Sequence, residues 1–381
     1  MNKKRFLIVF IVVILGITSG CGKKDEVDPN NDNSITTTTT AATTTMTTSK
    51  KSENTNNEKI NVVEVKSQLD KAYKKKISKV PNGWIGIYSE TDLIAIKENL
   101  AGKYILMENI VLASPWNPLA MDRSEIFQGE LDGNGLAISH LKINKENSNK
   151  VGMFSKANGN FKNINIVEAS ISGGQQVGIL IGETFGAEVE NVYVSGKITG
   201  WAYIGGIIGQ MSSSASIKNS YANANVNGNN YVGGLVGEIH GSTSIERSYA
   251  IGQVAGKTYI GGLVGQMSSA STLRNSYANV TVQGNSNVGG LVGETNASAE
   301  IRNCYAVGLV TGANDVGGLV GKMPSTSGTY NSFYDKDTTG QGHNGYGTPF
   351  TTSKMKAQST YSGWDFKNIW KIKDNTYPTL R

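Results

Sequence analysis

The residue types that carry most enzyme chemistry are sparse in this chain and do not cluster. Three histidines, His140, His240 and His343, lie about 100 residues apart, and neither H-E-x-x-H nor G-x-S-x-G occurs. Metallopeptidases and serine hydrolases hold their ligands or nucleophile in such motifs. A lone D-G-N-G at 132–135 is a weak signal for Ca²⁺, which takes about six to eight oxygen ligands. We therefore expect no catalytic residue, no metal and no cofactor, and we interpret the chain as non-enzymatic.

Glutamate and glutamine alternate at one recurring position. The series runs Glu183, Gln210, Glu238, Gln266, Glu294 and ends in Lys322. If each interval is one coil of stacked strands, glutamates two coils apart lie roughly 10 Å apart. That separation is slightly beyond the carboxyl pair of an inverting glycosidase. We interpret the series as a solvated or turn-capping column that arose by duplication.

A second recurring set is aromatic. Tyr203, Tyr231 and Tyr259 each precede a glycine-rich segment, and Ser-rich turns follow at 211–216 and 267–272. In a stacked fold these residues would form one flank. Aromatic faces stack on sugar rings and hydroxyls donate hydrogen bonds to them, so this flank is our candidate ligand-binding face, with plain surface as the alternative.

These residues belong to seven repeats. The apolar residue before the first glycine is Val151, Val177, Ile204, Val232, Ile260, Val288 and Val316, with steps of 26, 27 and then 28 residues. The recurring glycines are Gly205, Gly206, Gly209, Gly233, Gly234, Gly237, Gly261, Gly262, Gly265, Gly289, Gly290, Gly293, Gly317, Gly318 and Gly321. Two further columns are Asn191, Asn219, Asn275 and Asn303, which Arg247 interrupts, and Tyr221, Tyr249, Tyr277 and Tyr305. Residues 203–230 match 259–286 better than the repeat between them, which indicates duplication of a 56-residue unit.

A repeat of this length and composition predicts stacked strands. Glycine in a helix interior costs about 1 kcal/mol relative to alanine, so helical repeats are excluded. Three short strands with turns occupy about 20 to 30 residues per coil. We predict an all-β, right-handed parallel β-helix, with a propeller as second choice. Val, Leu, Ile and Tyr columns would fill the interior, Asn would form hydrogen-bonded ladders, and the glycines would mark positive φ or close backbone approach.

The charge of the chain does not indicate a nucleic-acid partner. The net charge is +6, but residues 50–80 hold nine lysines against four acids, whereas 151–330 hold nine basic and nine acidic residues. A nucleic-acid-binding domain carries a basic stripe. We therefore expect no nucleic-acid partner.

The first 58 residues predict export and tethering. Residues 1–20 combine a basic start with a short apolar core, as in a cleaved signal peptide, and T-S-G-C at 18–21 resembles a bacterial lipobox with Thr18 in place of the usual leucine. Cys21 would then be lipidated and would attach the protein to a membrane; a plain signal peptide is the alternative. Residues 21–58 are rich in Thr, Asn and Lys and predict a disordered tether, and 59–80 predict a helical or basic spacer.

The recurrence of V-G-G-L-V-G with N-S-Y-A resembles the GLUG repeat of bacterial surface proteins. That family includes adhesin-like proteins and the N-terminal regions of some IgA-specific metallopeptidases. The resemblance implies an N-terminal cap over 81–150, in which Ser89 caps a helix, repeats over 151–335, and a C-terminal cap over 336–381. In that last segment Trp364, Phe366, Trp370 and Tyr377 would cover the last coil.

These observations lead to three hypotheses. The first is a non-enzymatic, lipid-anchored, extracytoplasmic surface protein that binds a host glycoprotein, a polysaccharide or another cell-surface ligand. The second is a carbohydrate-active enzyme similar to a polysaccharide lyase, with its site on the β-helix flank or in 80–145. The third is a structural envelope spacer without a ligand. The predicted export signal, the tether, the repeats and the lack of a catalytic motif favour the first hypothesis.

Overall fold

The computed structural model describes residues 62–344 and 346–381. In this part of the chain, strands pair in parallel with the strands one coil earlier and one coil later, in the register that the repeat predicts: Tyr221 pairs with both Tyr193 and Tyr249. Within these residues one strand pair is antiparallel, Trp370–Lys371 with Thr379–Leu380. The predicted all-β parallel β-helix is confirmed. The leader, Cys21 and the tether lie outside the described residues.

A complete coil contains four short strands, whereas the sequence predicted three. In one coil these are Ala202–Gly205, Ile208–Met211, Ser216–Lys218 and Tyr221–Asn227. The additional strand arises because the glycine-rich segment bends at its glycine pair. Its first glycine ends one strand and its third glycine lies in the next.

The parallel strands form four sheets, called faces one to four in the order in which a coil passes through them. Face one contains Gln175–Val177, Ala202–Gly205, Asn230–Gly233, Thr258–Gly261, Ser286–Gly289 and Asn314–Gly317. Face two contains Phe154–Lys156, Ile181–Thr184, Ile208–Met211, Val236–Ile239, Val264–Met267, Val292–Thr295 and Val320–Lys322. Face three contains Ile85–Ile87, Lys103–Leu106, Glu130–Asp132, Asn160–Lys162, Glu188–Glu190, Ser216–Lys218, Ser244–Glu246, Thr272–Arg274, Glu300–Arg302 and Gly328–Tyr330. Face four contains Ile110–Val111, Ala137–Ser139, Lys142–Lys145, Asn165–Gly173, Tyr193–Thr199, Tyr221–Asn227, Tyr249–Ala255, Tyr277–Gln283, Tyr305–Val307, Val310–Thr311, Phe333–Asp335 and Thr348–Phe350.

Aliphatic side chains stacked from coil to coil fill the interior. Along Tyr221–Asn227, burial alternates, so that Ala222, Ala224 and Val226 point inward and Tyr221 points outward. The prediction that a tyrosine column fills the interior is therefore wrong. Alanine follows Tyr221, Tyr249, Tyr277 and Tyr305 and points into the interior, whereas the buried Val194 follows Tyr193.

The recurring glycines are explained by close backbone approach and not by positive φ. A Cβ on Gly234 would collide with the carbonyl oxygen of Gly262 one coil away, and a Cβ on Gly237 would lie 2.5 Å from the backbone nitrogen of Ile204. Neither glycine has positive φ. Faces one and two therefore pack backbone against backbone, which only residues without a side chain permit.

The N-terminal region continues the solenoid. Face three extends back to Ile85–Ile87. The helix Glu90–Ile94 begins at Ser89, whose hydroxyl accepts a hydrogen bond from the backbone nitrogen of Asp92, as predicted, and a 3₁₀ turn follows at Ala95–Glu98. Such a cap provides a hydrogen-bond acceptor for one of the otherwise unpaired backbone N–H groups at the start of the helix.

Helix α1, Val62–Ala72, lies within the segment 59–80 that was predicted to be a helical or basic spacer. Leu69 is buried against Val111, Ala137 and Val167 on the outer side of face four. The side chain of Lys66 donates to the backbone oxygen of Asn109 at 3.2 Å. The helix is therefore docked on the solenoid.

The predicted aromatic C-terminal cap is present, and it consists of two segments. Residues 342–344 and 346–348 lie over the last coil, where the amide of Asn344 donates to the carbonyl oxygen of Val320 at 2.9 Å and Gly347 packs on Leu319. The aromatic segment folds back over the outer side of face four and buries Tyr277 and Tyr305. This region also contains the helices Lys336–Thr339 and Thr352–Met355 and the 3₁₀ turn Gln358–Thr360.

Candidate ligand-binding faces

The tyrosine column of face one is the site that the sequence singled out. The rings of Tyr203, Tyr231 and Tyr259 stack with centroid separations of 4.7 and 4.6 Å and interplanar angles of 8° and 9°. A sugar ring cannot enter between rings at this spacing, so the predicted stacking of sugars on their faces does not fit between these tyrosines. The ring edges and hydroxyl groups remain available. None of the three hydroxyls donates a hydrogen bond within the described part of the chain.

These three tyrosines have an unusual backbone conformation. Their φ angles are 59°, 55° and 62°, in the left-handed region. This region costs a residue with a Cβ roughly 1–2 kcal/mol, and Asn and Asp tolerate it best. Asn287 and Asp315 occupy the same position in the next two coils, with φ of 55° and 49°. The tyrosines are therefore held where a smaller polar residue would fit with less strain.

Burial is the largest cause that raises the pKa of Tyr231 to about 12, followed by the charges of neighbouring tyrosines and of Glu238 and Glu294. Burial also raises the pKa of Tyr203. These phenols therefore stay protonated near neutral pH and can donate hydrogen bonds.

The glutamate and glutamine column lies beside these tyrosines, on face two. The amide of Gln210 donates to Glu238 at 2.6 Å and the amide of Gln266 donates to Glu294 at 3.0 Å. Glu183, Gln266 and Glu294 are less than a tenth exposed. The expectation of a solvated column is therefore wrong, since these side chains form a largely buried ladder in which amides separate the carboxylates. Lysines end the column: Lys156 pairs with Glu183 and Lys322 with Glu294 in register.

Trp201 was missed by the sequence reasoning. It lies two residues before Tyr203, at the corner that leads into face one, and its side chain is 54% exposed. Asn229 and Lys257 hold the same position in the following repeats. A large aromatic residue that replaces polar residues at one corner was the available signal, and its exposed ring offers the stacking surface that the tyrosines lack.

The Ser-rich turns connect face two to face three. Ser213 and Ser214 are exposed, whereas Ser212 is buried and its hydroxyl donates to the carbonyl oxygen of Thr184 at 3.2 Å. The serines that precede Tyr221, Tyr249 and Tyr277 are also buried, and Cys304 holds the equivalent position before Tyr305. Burial raises the pKa of the Cys304 thiol to about 12.

The asparagine column lies at the corner between faces three and four. Asn191, Asn219, Asn275 and Asn303 have φ between 49° and 53°, which explains the recurrence of asparagine better than a ladder does. Two ladder contacts are present, each 3.4 Å: Asn191 to Asn163 and Asn303 to Asn275. Arg247 occupies the same conformation, with φ of 48°.

The second tyrosine column runs along the outer side of face four. Successive rings of Tyr193, Tyr221, Tyr249, Tyr277 and Tyr305 stack with centroid separations of 4.6 to 4.9 Å. Trp370 contacts Tyr277 and Tyr305, with ring centroids 6.2 and 6.0 Å apart. A cleft of about 510 Å³ lies beside Tyr221 and Tyr249.

Carboxylates also line a groove of about 480 Å³ in the N-terminal region. Glu90, Asp122 and Glu125 border it together with the exposed apolar side chains Ile94 and Met121. Among the described residues, no group of three or more His, Cys, Asp or Glu is arranged to hold a metal ion. His140 contacts Glu168 at 3.2 Å, and Asp132 accepts a hydrogen bond from its own turn at Asn134.

The fold and these columns define a class, the parallel β-solenoid built from GLUG-type repeats. The GLUG motif matches residues 228–255 and 284–311, which confirms the resemblance drawn from the sequence. In the described residues no helix has the length and apolar character needed to cross a membrane.

Two relatives and one solved structure are similar to this chain. Halomucin of Haloquadratum walsbyi is 34% identical over 140 residues, which are 33% of this chain and 2% of that protein. A protein named as a candidate Gly-rich membrane protein of Evansella cellulosilytica is 55% identical over 56 residues, which are 14% of this chain and 6% of that protein. The chain thus spans a small fraction of either relative.

The crystal structure of a candidate immunoglobulin A1 protease from Bacteroides ovatus superposes with a TM-score of 0.52 at 21% identity, covering 81% of this chain and 95% of that one. At this identity the likeness concerns the fold.

Proposed function

We propose that this protein is a non-enzymatic repeat protein of the cell surface, exported and anchored through lipidated Cys21, that binds an extended glycan or glycosylated protein. The binding face consists of Trp201, Tyr203, Tyr231 and Tyr259.

The observation that carries this proposal is the strained conformation of the three tyrosines. Strained residues persist where the surrounding structure holds them in place, and they concentrate at functional sites. Asn287 and Asp315 provide the less strained alternative in the same column. Tyrosine at three successive coils is therefore retained for its ring and hydroxyl, and mutual stacking offsets part of the strain.

The chemistry of the face suits a polyhydroxylated ligand. Trp201 supplies an apolar ring surface, and the phenols supply donors spaced at one coil. A repeated ligand can engage several equivalent phenols at once, so that weak individual contacts add through high effective concentration. The largely buried carboxylates of Glu238 and Glu294 lie beside the phenols and disfavour an anionic ligand here.

The names of the relatives support a surface location. One is called halomucin and the other a candidate membrane protein, and each matches part of this chain. The lipobox resemblance and the tether predicted from the sequence are consistent with the same location.

An array of glycans and extracellular matrix proteins, probed with purified protein, tests the proposal. Tyr231→Asn and Trp201→Asn introduce residues that the column positions accept in other coils, so folding is expected to be preserved. We expect Trp201→Asn to weaken binding about five- to tenfold, as the loss of a stacking contact worth about 1–1.5 kcal/mol implies. Tyr231→Asn should weaken it about two- to tenfold, as the loss of a phenol hydrogen bond worth about 0.5–1.5 kcal/mol implies.

Tyr330→Asn is the matched control, because Tyr330 is an exposed tyrosine on face three. Equal binding by wild type and the Trp201 and Tyr231 variants would contradict the assigned face. Absence of binding to every target on the array would favour the structural spacer.

A further inference from the structure

Two parts of the chain cover the outer side of face four and leave a gap between them. Helix α1 covers its N-terminal end at Val111, Ala137 and Val167. The aromatic C-terminal segment covers Tyr277 and Tyr305. Tyr221 and Tyr249 lie between these coverings and remain partly exposed.

We propose that the cleft in this gap is a second binding site, specific for a carboxylate-bearing oligosaccharide. Its volume is about 510 Å³, within the range of about 300–1,000 Å³ typical of small-ligand pockets. It is lined by Tyr221, Tyr249 and Arg247 of the solenoid and by Lys371 and Leu380 of the antiparallel strand pair. The site shares no residue with the tyrosine face of the proposed function and does not depend on it.

Arg247 departs from the repeat at the cleft. The equivalent residues in the neighbouring coils are Asn219 and Asn275, and all three have left-handed φ. Arginine is disfavoured in this conformation relative to asparagine, whose short polar side chain can hydrogen-bond to the nearby backbone. Arginine therefore replaces asparagine in a coil that lines the cleft, although its backbone conformation there is less favourable.

The guanidinium of Arg247 has spare capacity for an anion. Its side chain is 40% exposed, and among the described residues its charged contact is the carboxylate of Glu246, 3.6 Å from Nε, whose side chain is 34% exposed. Such exposed pairs contribute little. Lys371 and Arg381 also line the cleft and are exposed, so three cationic side chains from different segments border it.

The polar lining indicates the class of anion. The planar guanidinium binds a carboxylate through two parallel hydrogen bonds. The amides of Asn191 and Asn219 and the phenols of Tyr221 and Tyr249 border the same space, and such groups pair with sugar hydroxyls. Burial raises the pKa of Tyr221, so its phenol remains a donor. This combination fits an acidic sugar better than an apolar peptide side chain.

Isothermal titration of the purified protein with tetragalacturonate, and separately with neutral galactotetraose and with tetraglutamate, tests the proposal. We expect tetragalacturonate to bind and the other two to bind at least tenfold more weakly. Arg247→Asn restores the repeat residue and keeps the fold. It should weaken tetragalacturonate binding about ten- to hundredfold, as the loss of a hydrogen bond to a charged group implies.

Lys371→Gln should also weaken tetragalacturonate binding, and Arg247→Lys should bind more tightly than Arg247→Asn but more weakly than wild type. Lys257→Asn is the charge-matched control, because Lys257 is an exposed corner residue of face one. Failure of tetragalacturonate to bind, equal binding of galactotetraose or tetraglutamate, or full binding by Arg247→Asn would each overturn the proposal. Tyr231→Asn should leave this binding unchanged, so the two sites fail or succeed separately.

Discussion

Replacing Gln266 by glutamate should destabilise the solenoid in a pH-dependent manner. Gln266 lies in register between Glu238 and Glu294 and donates to Glu294 at 3.0 Å. Gln266→Glu places three carboxylates on adjacent strands, about 4.8 Å apart. At an effective dielectric constant of about 20, each new pair repels by about 3.5 kcal/mol. The alternating glutamate and glutamine, and hence the 56-residue period, are the arrangement that avoids this repulsion.

Protonation limits the cost. Protonating a carboxyl group whose pKa in the unfolded chain is about 4.3 requires about 3.7 kcal/mol of free energy at pH 7. The expected destabilisation at pH 7 is therefore about 3–4 kcal/mol. Because the like charges raise the pKa of the introduced carboxyl above its unfolded value, the folded variant binds the proton more tightly than the unfolded chain. The loss of stability should therefore shrink as the pH falls toward 4, to about 1 kcal/mol for the missing hydrogen bond.

The assay is chemical denaturation of wild type and variant, followed by tryptophan fluorescence at pH 7 and near pH 4. Gln253→Glu is the matched control, because Gln253 is exposed on face four between Asn225 and Thr281. It should change stability by less than about 0.5 kcal/mol. Gln266→Met removes the hydrogen bond without adding charge. If Gln266→Glu matches Gln253→Glu at pH 7, or if its destabilisation is the same at both pH values, the repulsion argument is refuted.

Three further predictions concern packing. Gly234→Ala should abolish the cooperative thermal transition seen by circular dichroism, because its Cβ has no space beside the carbonyl of Gly262, whereas Gly186→Ala, where a Cβ meets nothing within 4 Å, should be near neutral. The buried thiol of Cys304, with its pKa raised to about 12, should resist a thiol reagent at pH 8 until denaturant is added; rapid labelling of the folded protein would contradict its burial. Trp370→Ala should cost about 3–5 kcal/mol and release the C-terminal segment to limited proteolysis, and unchanged protease resistance would show that other contacts hold the segment.

Some features of the fold were predictable because they depend on spacing alone. A 28-residue step between equivalent residues favours stacked coils over propeller blades, and the in-register pairing of Tyr221 with Tyr249 follows from it. The helix cap at Ser89 depends on three neighbouring residues and was also predictable. The bend within the glycine-rich segment was not, since glycine carries no side chain whose alternation would reveal a strand boundary.

The sequence by itself determined the repeat, the parallel β-solenoid and which residue types share a column, because a fixed period places equivalent residues above one another. Only the tertiary structure decided on which side each column lies. The tyrosines of face four point outward, and the residues that follow them point inward; in the central coils these are alanines, whose Cβ atoms lie close to the glycine pair. The cleft could not be predicted either, since Arg247 and Lys371 are 124 residues apart in the sequence. Both line the cleft because the C-terminal segment folds back along the solenoid and covers the tyrosines of face four.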